Sequence, residues 1–594
     1  MSVEKLIVDH IETWTSALQT RSTAGRGSSG KIDLYGIKKL RELILELAVR
    51  GKLVPQDPND EPASELLKRI AAEKAELVKQ GKIKKQKPLP EISEEEKPFE
   101  LPVGWEWVRL GDFTNIIRGI TFPGNEKSQF QAPGKIACLR TANVQEQIDW
   151  DDLIYISDSF VKRDDQYLQE HDIVMSMANS RELVGKVALA SLPDNSKFTF
   201  GGFLSVLRPL VVNEIYLMAL LRCETYKSQL IESASQTTNI ANISLAKLNP
   251  LPVCIPPAKE QIHIVKKMNE LMSLCDQLEQ QSLTSLDAHQ QLVETLLGTL
   301  TDSQNAEELA ENWARINEHF DTLFTTEASV DALKQTILQL AVMGKLVPQD
   351  PNDEPASELL KRIAQEKAQL VKEGKIKKQK PLLPISDEEK PFELPEGWEW
   401  CKFGLTSEFI NGDRGSNYPN KNEYVSQGIP WINTGHIEKN GTLTVTEMNF
   451  ITEGKFNELR SGKIQKGDLV YCLRGATFGK TAFVTPYETG AIASSLMIIR
   501  PFITEMGGYI YNYLTSPFGR SQIYRFDNGS AQPNLSANSV MLYSFPCPPL
   551  TEQYRIFSQV GLLHELCDKL KTRIKTAQQT QLHLADALTD AAIN

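Results

Sequence analysis

The chain has 594 residues, of which 41% are hydrophobic and 24% charged, and its formal net charge is −11 at pH 7. Several domains are expected at this length, and the lack of any uncharged apolar run of about 18 residues argues against a membrane protein. The eight cysteines form no Cys-x-x-Cys pair and have no histidine partner at zinc-ligand spacing, so neither a disulfide framework nor a metal site is expected.

The N-terminus has none of the regions of a secretory signal, which favours a cytoplasmic location with reduced, mostly buried cysteines. The negative net charge argues mildly against a nucleic-acid-binding protein, because phosphate neutralisation needs lysine and arginine. Net charge does not say which face carries the basic groups, however.

A long internal repeat is the main feature of the chain. Residues 47–107 recur as residues 340–400 without a gap, and 53 of the 61 aligned positions are identical. Within each copy, residues 81–103 and 374–396 are rich in lysine, glutamate and proline, a composition that predicts extended connectors. Their basic runs are either solvated linkers or contacts to phosphate.

Two segments that follow the repeats, 108–255 and 401–547, resemble each other only in outline; we call them variable segments 1 and 2. The shared outline consists of three pairs of short motifs: Ile117-Arg-Gly119 with Ile410-Asn-Gly412, Leu139-Arg-Thr141 with Ile432-Asn-Thr434, and Leu207-Arg-Pro209 with Ile499-Arg-Pro501. Each segment also contains short β-type runs bounded by turn residues: 172–175, 204–207, 468–471 and 496–499. These patterns predict two small α+β domains.

A long helix is predicted after each variable segment. Pro257 and Pro549 are each followed by Glu-Gln, a helix-start pattern. Apolar residues then recur at heptad spacing: Ile264, Met268, Leu271, Cys275, Leu278, Leu292 and Leu296 in the first helix, and Ile556, Val560, Cys567, Leu563, Leu570, Ile574, Leu584 and Leu588 in the second. Such a narrow stripe favours a partner helix, and the two copies are natural partners. The alternative is that each helix packs on its own domain.

Catalytic motifs are missing from the sequence. Residues 475–481, Gly-Ala-Thr-Phe-Gly-Lys-Thr, resemble a phosphate-binding loop but have three residues between the glycines instead of four. We interpret this stretch as a turn that presents Arg474 and Thr477. No Asn-Pro-Pro-Tyr, Gly-x-Gly-x-x-Gly or His-Glu-x-x-His pattern occurs, and no nucleophile and base can be recognised.

In proteins that recognise a DNA sequence, arginine forms paired hydrogen bonds with guanine, and asparagine or glutamine forms them with adenine. In variable segment 1 the loop candidates are Arg118, Arg140, Thr141, Asn143, Asn179, Arg181, Gln236 and Asn239. In variable segment 2 they are Asn411, Arg414, Asn433, His436, Arg474, Thr477, Asn528, Gln532 and Asn534. Each of these could instead satisfy a turn, and His436 is either a base contact or a solvated loop residue.

Taken together, the repeated blocks, the Gly-Trp-Glu-Trp ends and the Pro-Pro-x-x-Glu-Gln helix starts resemble the specificity subunits of type I restriction–modification systems, most closely their IB branch. The resemblance implies two target recognition domains joined by two long antiparallel coiled-coil helices with pseudo-twofold symmetry. It also implies a non-catalytic subunit that reads a bipartite double-stranded DNA target.

The same resemblance implies two methyltransferase and two motor-endonuclease subunits as partners, which would hold S-adenosylmethionine, ATP and magnesium. The expected regions are an N-terminal helical region with its linker (1–107), recognition domain 1 (108–255), a central region with the spacer helix (256–400), recognition domain 2 (401–547) and a C-terminal helix (548–594). A methyltransferase fused to its own specificity region and a protein-only repeat adaptor remain as alternatives.

Overall fold

The computed structural model describes residues 3–21, 31–194, 196–236, 240–475, 477–526 and 535–593. These residues form two compact units. Unit 1 comprises the described residues of 1–21, 31–284 and 578–594, and unit 2 comprises those of 285–577. Each unit thus contains one variable segment and parts of both long helices.

Unit 1 mixes helices with short strands, as an α+β domain does. Its helices are α1 Val3–Asp9, α2 Ile11–Ser16, α3 Tyr35–Val49, α4 Ala63–Lys79, α5 Leu110–Phe113, α6 Glu214–Arg222, α7 Glu224–Ser233, α8 Leu245–Leu248, the first part of α9 Ala258–Asp302 and the last part of α18 Leu550–Ile593. Its strands are β1 Gln19–Arg21, β2 Lys31–Asp33, β3 Glu106–Arg109, β4 Thr114–Arg118, β5 Lys135–Leu139, β6 Ile154–Ser157, β7 Ile173–Ser176, β8 Ala178–Asn179, β9 Val187–Leu189, β10 Phe198–Phe200, β11 Leu204–Pro209, β12 Ser235–Gln236, β13 Ala241–Asn242 and β14 Pro252–Ile255.

Unit 2 repeats this plan. Its helices are the last part of α9, α10 Ala306–Glu318, α11 Phe320–Leu323, α12 Glu327–Val342, α13 Ala356–Lys372, α14 Glu453–Glu458, α15 Gly507–Thr515, α16 Pro517–Tyr524, α17 Ala537–Met541 and the first part of α18 Leu550–Ile593. Its strands are β15 Glu399–Lys402, β16 Ser407–Asn411, β17 Ile429–Ile432, β18 Asn449–Ile451, β19 Lys463–Gln465, β20 Leu469–Cys472, β21 Thr481–Phe483, β22 Thr489–Ile492, β23 Leu496–Pro501 and β24 Ser544–Cys547.

The central sheets of the two units correspond. An antiparallel sheet of order β4-β11-β7-β9 in unit 1 matches β16-β23-β20-β21 in unit 2. Beside it, parallel pairing of β10 with β5 matches parallel pairing of β22 with β17. Strand pair β3–β14, and its counterpart β15–β24, joins the two ends of each variable segment. The predicted α+β class and internal repeat are therefore confirmed.

The arginines of the Leu-Arg-Pro and Ile-Arg-Pro motifs form ion pairs with buried aspartates. In unit 1, Arg208 donates from Nε and Nη2 to the two carboxylate oxygens of Asp172, both at 2.7 Å. Arg500 and Asp468 form the same pair in unit 2, at 2.8 Å each. Both aspartates are buried. Because a buried carboxylate is stable only when it is paired, these repeated arginines are part of the scaffold.

A second repeated contact joins the end of each repeated block to the long helix of the same unit. The Trp105 indole donates to Glu260 at 2.9 Å, and Trp398 donates to Glu552 at 3.0 Å. Burial raises the pKa of the Glu260 carboxyl. The Gly-Trp-Glu-Trp and Pro-Pro-x-x-Glu-Gln motifs therefore recur together because their side chains meet.

In unit 1, the parts of the two long helices that flank α3 run in opposite directions. Arg41 of α3 pairs with Glu279 of α9 at 2.5 Å, while Gln56, beyond the end of α3, reaches Glu260 at 3.2 Å. Helices α3 and α9 are therefore antiparallel. Helices α3 and α18 are parallel, because Tyr35 donates to Asp586 and Lys52 donates to the carbonyl of Ile593.

Unit 2 shows the same relation around α12. Lys571 pairs with Asp331 at 2.8 Å and Gln349 donates to Glu552 at 3.1 Å, so α18 runs against α12. His289 lies 3.1 Å from the carbonyl of Thr322, and Lys345 donates to the carbonyl of Thr301, so α9 runs with α12. The predicted antiparallel course of the long helices is confirmed.

The predicted heptad stripe is correct at its start and wrong at its end. Leu271 is buried as predicted, but Leu292 is 51% exposed, and the next residue, Val293, is buried instead. In α18, likewise, Leu584 is 45% exposed while Ala585 is buried. A straight α-helix drifts by about 20° per heptad, so a strict seven-residue repeat loses register unless the helix supercoils.

The predicted connectors, residues 81–103 and 374–396, contain little regular structure but are held at one point. Ser93 caps a 3-10 turn, Glu94–Glu96, and Glu96 pairs with both terminal nitrogens of Arg109 at 2.7 and 2.9 Å. Lys402 and Glu389 form the matching pair at 2.6 Å. The predicted connectors are therefore tied to the fold, since buried cations of the adjoining strands hold them.

All eight cysteines are buried, as predicted, and free. Among the described residues, no helix is both long enough and apolar enough to cross a membrane.

Candidate nucleic-acid interface

In unit 1, three of the predicted DNA-reading loops meet at one turn, Gly201–Phe203, between β10 and β11. The Gly201 amide donates to the carbonyl of Leu139 at 2.9 Å, next to Arg140. Ser205, just beyond the turn, pairs with Arg118 across the sheet. The amide of Met177, two residues before Asn179, donates to the Phe203 carbonyl at 2.8 Å. We call residues 118–119, 140–143, 177–181 and 201–203 loop cluster 1.

The glycine of the Ile-Arg-Gly motif allows these loops to approach so closely. A Cβ atom on Gly119 would lie 2.1 Å from the Gly201 carbonyl oxygen, which is closer than two such atoms can come. The same holds for Gly412 in unit 2, where the distance to the Ala493 carbonyl oxygen would be 2.5 Å. Any larger residue at either position would push the loops apart.

Unit 2 assembles the equivalent loops around residues 493–495. The Ala493 amide donates to the carbonyl of Ile432 at 2.7 Å, next to Asn433. The Leu473 amide donates to the carbonyl of Ser495 at 2.9 Å, next to Arg474. We call residues 411–414, 433–436, 473–475, 477 and 493–495 loop cluster 2. Predicted candidates from distant parts of each variable segment are thus neighbours.

Within loop cluster 1, Arg118 and Arg181 are exposed. Arg140 is half-buried and its guanidinium donates to Asp152 at 2.7 Å, whereas its Nε has no hydrogen-bond partner among the described residues. Thr141 is half-buried, as is Asn179, whose side-chain oxygen accepts from the amide of Ser180. Two arginines are thus open to solvent, and a third is partly available.

Asn143 has a different role from the one predicted for it. Its side chain is fully buried, with the oxygen accepting from the Arg140 amide at 2.8 Å and the nitrogen donating to the carbonyls of Asp149 and Asp152. Since both ends of the amide are occupied, Asn143 fixes the shape of the loop that carries Arg140. The interpretation of Asn143 as a base contact is therefore corrected.

His436 holds the corresponding place in loop cluster 2. It is only 5% exposed, and its Nδ1 accepts from the Asn433 amide at 3.1 Å. Burial lowers the pKa of the imidazole, which favours the neutral ring that this contact needs. Of the two interpretations of His436, the solvated one is wrong, and the ring acts as a loop support for Asn433.

The remaining side chains of loop cluster 2 are more accessible. Asn411 and Arg414 are exposed, and the loop of Arg414 is ordered by Asp413, whose carboxylate accepts from the amides of Arg460 and Gly415 at 2.8 Å. Those amides hold the pKa of Asp413 below its ordinary value. Asn433 is half-buried and accepts from the amide of Gly435.

Arg474 resembles Arg140 in the hydrogen bonding of its guanidinium Nε. It is half-buried, and its Nε is buried without a hydrogen-bond partner in the described part of the chain. A buried donor without an acceptor is costly, so an acceptor from outside the chain would satisfy it. Thr477 is half-buried beside Cys472, with 3.8 Å between its hydroxyl oxygen and the sulfur.

Some predicted candidates cannot be placed. Gln236 is paired through the backbone of β12 with Ala241, but its side chain lies outside the described residues. Also outside them are Asn239, Asn528, Gln532 and Asn534.

Two residues of this region were not predicted from the sequence. Phe203 is 68% exposed in loop cluster 1, and Arg460 is an exposed arginine whose amide binds Asp413. Phe203 was not predicted because all the predicted base contacts are hydrogen-bonding side chains. A signal was available, because Phe203 follows two glycines directly before a predicted strand.

Comparison with known proteins gives consistent matches. The family described as type I restriction modification DNA specificity domain matches residues 102–288 and 395–577. The EcoAI specificity subunit of a type I restriction enzyme from Escherichia coli is 54% identical over 612 aligned residues, and the EcoEI subunit from the same species is 49% identical over 625. Both alignments cover 100% of this chain and of the relative.

Among solved structures, the HsdS subunit from Thermoanaerobacter tengcongensis is 17% identical, with a TM-score of 0.37. That alignment covers 84% of this chain and 98% of the HsdS chain.

Proposed function

Because this chain belongs to the type I restriction–modification DNA specificity family, whose members are recognition subunits and not catalysts, we propose that it reads a two-part DNA target with loop clusters 1 and 2. Each cluster contacts one half of the target in double-stranded DNA. The proposal places the chain in the cytoplasm, where its DNA lies.

One observation carries the proposal: the two clusters have the same backbone plan but different side chains at matching positions. Arg118 corresponds to Asn411, and Arg140 corresponds to Asn433. Arginine pairs best with guanine, and asparagine pairs best with adenine. Two equivalent surfaces with different base-contacting side chains are suited to two different half-sites.

The charge of the chain limits how tightly it can bind DNA alone. Residues 111–257 contain 13 lysines and arginines against 16 aspartates and glutamates, and residues 404–549 contain 12 against 11. Since phosphate neutralisation supplies much of DNA affinity, neither of these two stretches is basic enough to bind tightly without help. The proposal therefore includes partner subunits that add contacts to the DNA.

The partners in this proposal are two copies of one methyltransferase subunit and two motor-endonuclease subunits, which hold S-adenosylmethionine, ATP and magnesium. Support comes from α4 and α13, where seven exposed positions are identical in the two units. They are Glu65/Glu358, Lys68/Lys361, Arg69/Arg362, Ala71/Ala364, Glu73/Glu366, Ala75/Ala368 and Lys79/Lys372. Exposed residues do not pack in the core, so packing does not explain why they are identical in the two units. A partner subunit that binds each unit in the same way would explain it.

A footprint of the assembled complex tests the DNA-reading function. We expect two short protected blocks separated by an unspecific gap, on a duplex that carries the motif methylated in vivo. A complex that shows no protected block would favour the protein-only adaptor. Methyl transfer by the purified chain alone would favour a fused methyltransferase.

Native mass measurement tests the partner surface. Reversing both charges in one unit, with Lys68→Glu and Arg69→Glu, should leave one methyltransferase copy bound where the wild-type chain binds two. The matched variant Lys361→Glu with Arg362→Glu should do the same, and the four-fold variant should bind none. Two copies on every variant would contradict this assignment.

A further inference from the structure

Phe203 is an exposed aromatic residue in the middle of loop cluster 1. Its side chain is 68% exposed, although the adjacent Leu204 is completely buried. The backbone around it is fixed, because the Leu204 amide donates to the Gly201 carbonyl at 2.8 Å and the Met177 amide donates to the Phe203 carbonyl at 2.8 Å. The ring is therefore presented to solvent by a turn that is tied to its neighbours.

The glycines before Phe203 press this turn against the loop after β4. A Cβ atom on Gly202 would lie 2.8 Å from the Thr121 hydroxyl, and one on Gly119 would lie 2.1 Å from the Gly201 carbonyl oxygen. The turn is thus packed between the segments that carry Arg118 and Asn179. Phe203 shares its surface with the proposed base readers.

The second cluster has no aromatic residue at this place. Residues 201–204, Gly-Gly-Phe-Leu, correspond to residues 493–496, Ala-Ser-Ser-Leu, because both turns make the same backbone hydrogen bonds to their neighbouring loops. Ser495 is therefore the counterpart of Phe203, and it is half-buried. The apolar ring distinguishes the first cluster from the second, as a specificity-determining residue would.

We propose that Phe203 contacts the 5-methyl group of a thymine in the half-site read by loop cluster 1, an inference that rests on the proposed DNA-reading function. In the major groove, hydrogen-bonding side chains read the donors and acceptors, and the one apolar feature of a base edge is the thymine methyl. A phenylalanine ring among arginine and asparagine side chains provides the apolar contact. If the half-site contains a methylated adenine, the opposite strand supplies a thymine.

The test removes the thymine methyl group from the DNA and the Phe203 ring from the protein, each independently of the other. Wild-type and Phe203→Ala complexes, each the full chain with its methyltransferase partner, are titrated with the target duplex mapped in vivo. Matched duplexes carry deoxyuridine for each thymine of the first half-site, or for each thymine of the second. We expect the wild-type complex to lose affinity about fourfold on the first uridine duplex, the effect of burying about one methyl group.

Phe203→Ala should bind the thymine duplex at least as weakly as wild type binds the first uridine duplex, and it should lose nothing more when uridine is introduced. The second uridine duplex should affect both proteins equally. Phe130→Ala, which removes an 80% exposed phenylalanine outside loop cluster 1, is the matched control and should behave as wild type. Melting temperature and native mass establish that both variants fold and assemble.

The inference is overturned if Phe203→Ala binds the thymine duplex as tightly as wild type. It is also overturned if the variant is weaker but both proteins respond equally to uridine in the first half-site, because the ring would then act without the methyl. Failure of the DNA-reading function gives a different result: the wild-type complex would show no preference for the mapped duplex over a scrambled one.

Discussion

At the scale of single residues, buried and more accessible polar side chains have different roles in the loop clusters. Asn143 and His436 are buried and bind backbone amides of their own loops, so they hold the loops in shape. Arg118, Asn411 and Arg474 make no such side-chain contact in the described structure, and remain available to a ligand. This difference makes the more accessible residues the better targets for mutation.

Arg474→Ala should weaken binding to one half-site by roughly 1–3 kcal/mol, if the guanidinium makes a paired contact to a base. Competition binding of the assembled complex, with duplexes altered in one half-site at a time, measures this effect. Arg520→Ala, which removes an exposed arginine of α16, is the control and should leave affinity unchanged. An equal loss on target and random DNA would mark Arg474 as a phosphate contact and contradict base reading.

Glu96 gives a pH-dependent prediction for the connector. The hydrogen bond from Arg109 lowers the pKa of Glu96 from its ordinary value of 4.5 to about 2. A group with a lowered folded-state pKa stabilises the folded form above its ordinary pKa, and this contribution is lost as the pH falls toward the lowered value. The connector should therefore loosen between about pH 4.5 and pH 2.

Hydrogen exchange of residues 90–97, corrected for the pH dependence of intrinsic exchange, measures this loosening. In Glu96→Gln the segment should be poorly protected even at pH 7, because the charged partner of Arg109 is gone. Glu95→Gln, which changes an exposed neighbour, should match wild type. Equal protection in all three proteins would show that the Arg109 pair does not hold the connector.

At the scale of elements, the sequence was sufficient to place the long helices and the central strands. Pro257 and Pro549 mark the starts of α9 and α18, and the predicted β-type runs overlap β7, β11, β20 and β23. These features depend on local pattern. The buried stripe beyond Leu278 could not be predicted, because its register depends on helix geometry and on the neighbouring elements.

The candidate site was predicted in the same partial way. The paired Ile-x-Gly and x-Arg/Asn-Thr motifs located loops that do come together, since their spacing is shared by both variable segments. The burial of Asn143 could not be foreseen, because an asparagine in a loop binds either its own backbone or a ligand, depending on how the loop closes.

The corrected helix stripe gives a matched pair of variants. Leu271→Asp combined with Leu563→Asp puts charges into the packed part of each helix and should destabilise the chain by several kcal/mol. Leu292→Asp combined with Leu584→Asp changes heptad positions that are exposed, and should alter stability by only about 0.5 kcal/mol. Thermal unfolding and native mass measure both. Equal damage from the two pairs would contradict the shifted stripe.

At the scale of the whole molecule, the chain consists of two units of one plan in which the scaffold is repeated and the side chains of the loop clusters differ. The repeated contacts are Arg208 with Asp172 in one unit and Arg500 with Asp468 in the other, together with the tryptophan to glutamate pairs. If specificity resides only in the loop clusters, it should be possible to exchange one variable segment without changing what the other reads.

The boundaries for such an exchange follow from strands β15 and β24. Their pairing joins the ends of variable segment 2, so replacing residues 404–543 keeps both strands from the original chain. A relative with a different methylated motif supplies the new segment. The β3–β14 pair allows the reciprocal exchange of residues 111–251 as a matched control.

The most direct test of one reader per unit is a genome-wide map of methylated adenines in cells that express the hybrid with residues 404–543 exchanged. We expect a two-part motif in which one half is that of the donor and the other half, with the gap length, stays as in the original. The reciprocal hybrid should change the opposite half. An unchanged motif, or one in which both halves change, would contradict the assignment of one half-site to each unit.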